Sequence, residues 1–91
     1  MSRRALLYSV SMKHEQKLRD CFKNAFGTAA ADPTGMTFGG SAWDSVAHIA
    51  LVTELESGFD FEMSPEEITE LTSYSKAKDI LSRHGVAFDA Q

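Results

Sequence analysis

The chain has 91 residues, which excludes a multidomain protein and leaves room for one small core. Forty-three per cent of the residues are hydrophobic, a share typical of a globular protein. The net charge is −4, and the acidic excess lies in residues 41–91. A nucleic-acid partner needs a basic surface, so this balance argues against nucleic acid and favours basic protein partners.

The single cysteine and the short apolar stretch near the start indicate where in the cell the protein is located. Cys21 is the only cysteine, so no internal disulfide can form, and no Cys or His residues have metal-ligand spacing. The apolar stretch near the start is too short for a signal peptide or a membrane span. We therefore predict a cytoplasmic protein with no metal site and no membrane association.

The first predicted helix covers about residues 11–26, where apolar residues recur at helical spacing. Gly27 follows the last of them and is predicted to end the helix. Residues 28–42 are rich in Ala and Gly and predict a loop that is longer than most connections in compact domains. We expect Met36 and Phe38 to pack this loop onto the core.

The second predicted helix covers residues 45–58 and has the strongest periodicity. Its core-facing stripe is predicted to consist of Ile49, Val52, Leu55 and Phe59, and Gly58 is predicted to end it. The opposite side has mainly small residues, a surface that a partner could approach closely. At about 100° per residue, His48 also lies on the core-facing arc of this helix, so we expect it to be a hydrogen-bonded core or boundary residue.

Two further helices are predicted from capping signals. Ser64 as N-cap and Glu67 three residues later form a capping box for a short helix over 65–70. Ser73 caps a fourth helix whose inward face consists of Tyr74, Ala77, Ile80, Leu81 and His84. No segment alternates with period two, so the fold class is all-α. Residues 11–85 form the domain, between a flexible extension over 1–10 and a flexible tail over 86–91.

The second helix begins with the hexapeptide Trp-Asp-Ser-Val-Ala-His at residues 43–48, directly after the long loop. This arrangement resembles the acyl carrier proteins, in which a Ser in an Asp-Ser-Leu type motif carries 4′-phosphopantetheine. Segments 18–27, 51–59 and 63–74 are similar to the family's first, second and third helices. The resemblance covers about residues 11–84. It implies an acyl-carrier-like bundle of three main helices plus a short one, with a long loop between the first two.

The resemblance implies a role for two residues of the motif. Ser45 is the expected attachment point of the 4′-phosphopantetheine arm, whose thiol carries acyl or aminoacyl groups as thioesters. Asp44 is expected to orient the loading complex or contact Mg²⁺ during loading, and a plain N-cap role is equally compatible. The implied protein has no catalytic residues of its own, and the cofactor supplies the chemistry.

The resemblance also implies partners. These are a phosphopantetheinyl transferase, an acyl-loading ligase or acyltransferase, and a downstream synthase or transferase. The expected recognition residues are Val46, Ala50, Glu54 and Ser57, and we expect a monomer. The acyl chain is expected to lie among residues of the core, namely Ile49, Val52, Leu55, Met63, Ile68, Leu71, Ala77 and Leu81.

The sequence departs from the family's pattern on the second helix. Val46 stands where the family usually has Leu or Met, at a position that docks the transferase. Ala47 and Ala50 replace acidic residues found in many fatty-acid carriers, although Glu54 and Glu56 remain. This less acidic face favours a specialised biosynthetic pathway over bulk fatty-acid synthesis.

The same residues allow other interpretations. Phe-Gly-Gly-Ser-Ala at residues 38–42 faintly resembles the attachment motif of peptidyl carriers, but Ser41 is misplaced relative to the helix. A hydrolase built from Ser45, His48 and Asp44 lacks an oxyanion hole or a substrate cleft. The alternative that stays open is a cofactor-free helical interaction module with an acidic binding face.

Overall fold

The computed structural model describes the backbone of residues 3–88 and the side chains of residues 13–88. Four helices follow one another: α1 (Arg3–Phe26), α2 (Ser45–Phe59), α3 (Pro65–Glu70) and α4 (Tyr74–Arg83). Two short 3₁₀ turns, Gly27–Ala30 and Pro33–Gly35, interrupt the loop between α1 and α2. Residues 3–88 contain no β-strand, which confirms the all-α prediction. No helix in this range has the length and apolar character needed to cross a membrane.

Helix α1 begins at Arg3 rather than near residue 11. Most of the predicted extension over 1–10 is therefore part of this helix, while residues 1 and 2 lie outside the described residues. Apolar periodicity alone placed the start too late, because residues 3–10 contain no Gly or Pro to interrupt a helix. Of the predicted tail, residues 86–88 are described, and Val86 and Phe88 pack against the core.

The capping predictions are confirmed at three helix ends. Ser64 and Glu67 form the complete capping box of α3, and the Ser73 side chain accepts a hydrogen bond from the Lys76 N–H at 3.1 Å. Gly27 follows α1 with φ of 67°, a left-handed conformation that glycine adopts without steric cost.

The predicted end of α2 at Gly58 is wrong. The helix runs to Phe59, and Asp60 takes the left-handed conformation after it with φ of 55°. Gly58 instead lies where α1 and α2 approach closely, since a Cβ at this position would meet the Cys21 Sγ at 3.1 Å. The glycine therefore serves helix packing rather than helix termination.

The core lies between α1, α2 and α4. Its buried residues include Leu18 and Phe22 of α1, together with Trp43, Leu51, Val52, Leu55, Met63, Leu71, Tyr74, Ala77, Ile80 and Leu81. Met36, Phe59 and Ile68 are partly buried against this core. His84, predicted on the inward face of α4, is exposed at the end of that helix.

Two apolar residues predicted in or on the core are more exposed than expected. Ile49 is 60% exposed, and Phe38 is 44% exposed although its ring lies against those of Trp43 and His48. The buried face of α2 is formed by His48, Leu51, Val52 and Leu55. The centre of this buried face lies near His48, and Ile49, about 100° further round the helix, is turned away from the core.

Glu67 joins α3 to the end of α4. Its carboxylate accepts the Ser64 N–H at 3.1 Å and lies 3.0 Å from the Nε2 of His84. The hydrogen bond with His84, and then that with Ser64, lowers the pKa of the Glu67 carboxyl below its ordinary value. The charged form of Glu67 therefore favours the folded state.

We expect the melting temperature to fall as the pH drops through and below the ordinary Glu pKa of about 4.3. A carboxylate whose pKa is lowered by folding stabilises the protein above its unfolded-state pKa and loses this contribution as it is protonated. Glu67→Gln keeps a residue suited to the capping box but has no titrating charge, so part of the pH dependence should disappear. Melting curves of both proteins from about pH 6 to about pH 3 test this. Equal falls in both would contradict it.

Candidate functional site at the start of α2

Ser45 is the first residue of α2, and it is exposed. Asp44 precedes it as N-cap, and the Asp44 Oδ1 accepts a hydrogen bond from the Ala47 N–H at 2.9 Å. The first turn of a helix leaves N–H groups without intrahelical partners and has a partial positive charge. A phosphodiester on the Ser45 hydroxyl would therefore lie in a favourable electrostatic environment.

The N-cap role of Asp44, one of the two predicted for it, is confirmed by this hydrogen bond. The carboxylate of Asp44 is nevertheless exposed, so its other oxygen can meet an approaching cation. Mg²⁺ contact during loading stays a prediction.

The loop before α2 is fixed at two places. The Phe38 N–H donates to the Thr72 carbonyl at 2.9 Å, which ties the loop to the link between α3 and α4. Closer to α2, the Gly39 N–H donates to the Trp43 carbonyl at 3.0 Å and the Trp43 N–H donates to the Gly40 carbonyl at 3.2 Å. Ser41 lies within this turn, before α2, so it lacks the helix N-terminus that surrounds Ser45.

His48 connects three parts of the fold through its imidazole ring. The Trp43 Nε1–H donates to the His48 Nδ1 at 3.0 Å, and the His48 Nε2 lies 2.8 Å from the Ile68 carbonyl oxygen. Because the indole nitrogen is only a donor, Nδ1 must accept and Nε2 must carry the hydrogen that it donates to Ile68. The prediction of a hydrogen-bonded core histidine is confirmed.

This arrangement also bears on the hydrolase interpretation. Both ring nitrogens of His48 are occupied by Trp43 and Ile68, so neither is free to take a proton from Ser45. The ring serves to join the loop, α2 and α3.

The four predicted recognition residues differ in their accessibility. Val46 is 80% exposed and Ser57 is also exposed, whereas Ala50 and Glu54 are half-buried. The Glu54 Oε1 accepts a hydrogen bond from the Asn24 side chain at 3.0 Å, so this carboxylate is partly committed to α1. Ile49, predicted on the core-facing stripe, lies instead on the exposed face, and its position one turn after Val46 is the signal that places it there.

A mainly apolar pocket of about 270 Å³ lies beside α2. Its lining residues are Phe38, His48, Ile68, Thr69, Leu71 and Thr72. Of the eight residues predicted to surround an acyl chain, two line this pocket, Ile68 and Leu71, and the other six do not. The pocket is one helical turn from Ser45, because His48 follows Ser45 by three residues.

A larger pocket of about 490 Å³ lies elsewhere, next to Glu15, Tyr74 and Lys78. The hydroxyl of Tyr74 and the ammonium of Lys78 both donate to the Glu15 carboxylate, so these polar groups satisfy one another. The motif residues 43–48 are absent from its lining, and we therefore place the candidate site at the start of α2.

Cys21 is buried between α1 and α2, where its thiol donates to the Glu54 carbonyl at 3.4 Å. Burial, aided by the charges of Glu54 and Asp20, raises the pKa of this thiol to about 11. The thiolate is the reactive form, so the thiol should be inert in the folded protein near neutral pH.

We expect Cys21 to react with dithiobis(nitrobenzoate) only after unfolding. The native protein at about pH 8 should give almost no colour within the time in which the urea-unfolded protein reacts completely. A native-state rate equal to that of the unfolded chain would contradict this. If Cys21 is slow in the native protein as predicted, any fast-reacting thiol on a modified, folded protein belongs to the added group.

Comparison with protein-family models, curated proteins and solved structures gives no match to this chain. The geometry around Ser45 is therefore the basis for proposing a function.

Proposed function

We propose that the protein is an acyl carrier protein with 4′-phosphopantetheine attached to Ser45. The observation that carries this proposal is the exposed Ser45 hydroxyl at the first position of α2, directly after the N-cap Asp44. This position supports the proposal in two ways. A transferase can reach the exposed serine, and the helix N-terminus can accommodate the phosphodiester.

The surroundings of Ser45 support the same role. The buried Trp43 and His48 hold the loop against α2 and α3, so Ser45 is presented from a rigid part of the fold. The neighbouring apolar pocket offers a place for part of the arm or for an apolar acyl group. When bound, the arm supplies a thiol on which acyl or aminoacyl groups are held as thioesters.

In this role the protein is not itself an enzyme. Its partners are a phosphopantetheinyl transferase, a loading ligase or acyltransferase, and a downstream synthase or transferase. The scarcity of acidic residues on α2 favours a specialised biosynthetic pathway over bulk fatty-acid synthesis. The proposed carrier is a cytoplasmic monomer, and its proposed fold is an acyl-carrier-like bundle.

The test is the intact mass of the protein before and after incubation with coenzyme A, Mg²⁺ and a broad-specificity phosphopantetheinyl transferase. Wild type and Ser41→Ala should each gain the mass of one phosphopantetheine, and Ser45→Ala should gain none. Both substitutions remove one exposed hydroxyl from neighbouring positions, so Ser41→Ala is the matched control.

A folded wild-type protein that gains no mass with either of two transferases would contradict the proposal. A cofactor-free interaction module would then become the leading interpretation. The second transferase is needed because Val46 differs from the residues usual in the family at a position that docks this enzyme.

A further inference from the structure

The pocket of about 490 Å³ next to Glu15 lies between α1 and α4, and the proposed carrier role does not use it. Its walls also include Thr34 of the second 3₁₀ turn and Phe88 of the C-terminal segment. We call this cavity the α1–α4 pocket. None of residues 43–48 lines it, so it is separate from the start of α2.

The wall formed by the C-terminal segment is held in place by hydrogen bonds. The Val86 N–H donates to the Leu81 carbonyl at 3.0 Å, and the His14 Nδ1 lies 2.8 Å from the Ala87 carbonyl oxygen, to which it donates. The Phe88 ring lies edge-on to the His14 ring, with centroids 6.1 Å apart. These contacts bring segments that are distant in the chain together around one cavity.

The two carboxylates in the wall of the α1–α4 pocket are engaged by donors of the protein. The Tyr74 hydroxyl donates to the Glu15 Oε2, and the Lys78 ammonium lies 2.8 Å from the Glu15 Oε1. The Asp79 Oδ2 accepts a hydrogen bond from the Arg83 guanidinium at 3.2 Å. Both negative charges are therefore offset by positive side chains.

Arg19 is the charged group of this wall that donates no hydrogen bond within residues 13–88. Its Nε lies 3.9 Å from the Glu15 Oε2, which is too far for a hydrogen bond. Its Cζ lies 5.8 Å from the centroid of the Tyr74 ring, so the guanidinium is held against an aromatic surface. A planar guanidinium with several N–H donors is suited to two-point binding of a carboxylate or a phosphate.

The rest of the lining suits an organic anion better than a bare ion. Ser75 and Ser82 both line the pocket from one face of α4, and their hydroxyls form no side-chain hydrogen bond in the described part of the chain. The Phe88 ring supplies an apolar surface. A volume of about 490 Å³ lies in the range of sites that hold small organic molecules.

We infer that the α1–α4 pocket binds a small organic oxyanion, a carboxylate or a phosphate monoester, whose charged group pairs with Arg19 and whose body occupies the rest of the pocket. This inference goes beyond the proposed carrier function and does not depend on it. The charge of the wall selects the ligand, because Glu15 and Asp79 are already engaged whereas the guanidinium of Arg19 has its N–H donors to offer. Lys78 places a second positive charge in the same wall.

The test is a titration of the ¹⁵N-labelled protein, followed by NMR, with phenyl phosphate and benzoate as the oxyanion probes. Both should shift the amide signals of residues that line the pocket, and the probe with the lower Kd identifies the class of ligand. Benzamide has the shape of benzoate without its charge and should bind at least about tenfold more weakly. Inorganic phosphate, which has no organic body, should bind more weakly than phenyl phosphate.

Three variants locate the binding. Arg19→Gln removes the guanidinium and keeps a good helix former, and it should raise the Kd of the tighter oxyanion probe by at least about tenfold. Lys23→Gln makes the same change of charge one turn later on the exposed surface of α1 and should leave the Kd within about twofold of wild type. Ser45→Ala should bind as wild type does, and circular dichroism and the melting temperature establish that each variant is folded.

Several results would overturn the inference. They are a folded wild-type protein that binds neither oxyanion at about 10 mM, an unchanged Kd for Arg19→Gln, and equal affinity for benzamide and benzoate or for inorganic and phenyl phosphate. Shifts confined to the first turn of α2 would also overturn it, because the anion would then bind at that helix N-terminus. None of these results affects the gain of mass at Ser45, so the carrier proposal stands or falls separately.

Discussion

Trp43→Ala should leave most of the protein unfolded under mild conditions. Trp43 is the largest fully buried side chain in the described structure, and its ring lies within 6.4 Å, centroid to centroid, of Phe22, Phe26, Phe38 and His48. Truncating a buried Trp to Ala typically costs about 3–5 kcal/mol of unfolding free energy. A domain of this size often has little more than that in total.

Urea denaturation followed by circular dichroism measures this effect. The matched control is Phe38→Ala, which removes an aromatic ring from the same cluster but one that is 44% exposed, and we expect a cost of about 1 kcal/mol. If Trp43→Ala unfolds at the same urea concentration as Phe38→Ala, Trp43 does not organise the core as its burial indicates.

The second large effect is expected for His48→Leu. The substitution replaces the imidazole with an apolar side chain of similar size. It therefore leaves the Trp43 indole N–H and the Ile68 carbonyl without their partner. Each unsatisfied buried group costs about 1–3 kcal/mol, so the unfolding free energy should fall by about 2–6 kcal/mol. His48→Gln can still accept from Trp43 and donate to Ile68, so it should be clearly more stable than His48→Leu.

The comparison of these two variants isolates the hydrogen bonds from the packing. Equal unfolding free energies for the Leu and Gln variants, both close to wild type, would show that the bridge between the loop, α2 and α3 contributes little. The order predicted here, wild type first, then Gln, then Leu, is the one that a hydrogen-bonded bridge requires.

Local signals in the sequence predicted the helix ends well where a side chain acts on its own neighbours. The capping box of Ser64 and Glu67 and the N-cap of Ser73 depend on residues three positions apart, so they can be recognised without knowledge of the fold. The position of Ser45 at the first turn of α2 follows from the same kind of signal, whereas its expected role as an attachment site comes from the resemblance of residues 43–48 to the acyl carrier motif.

Long-range packing explains the predictions that were wrong. Gly58 was expected to end α2, but its role depends on Cys21, a residue 37 positions earlier that lies 3.1 Å from where its Cβ would be. Ile49 was predicted in the core because apolar spacing alone does not fix the centre of the buried face, which the hydrogen bonds of His48 to Trp43 and Ile68 place away from Ile49. In both cases the deciding contact joins segments that are distant in the chain.

The same contacts connect stability with the proposed function. Trp43 and His48 fix the loop before Ser45, and Ile49 lies outside the buried face of α2 to which His48 belongs. The buried imidazole thus helps to hold the loop and the helix that present the serine.

The most direct test of the carrier function is to locate the added group by fragmenting the modified peptide in a mass spectrometer. Trypsin should release residues 24–76 as one peptide, since no Lys or Arg lies between Lys23 and Lys76. This peptide contains both Ser41 and Ser45, and fragment ions between them distinguish the two sites. We predict one phosphopantetheine on Ser45. Its attachment to another residue, or its absence from a folded protein after treatment with two transferases, would contradict the proposed role of Ser45.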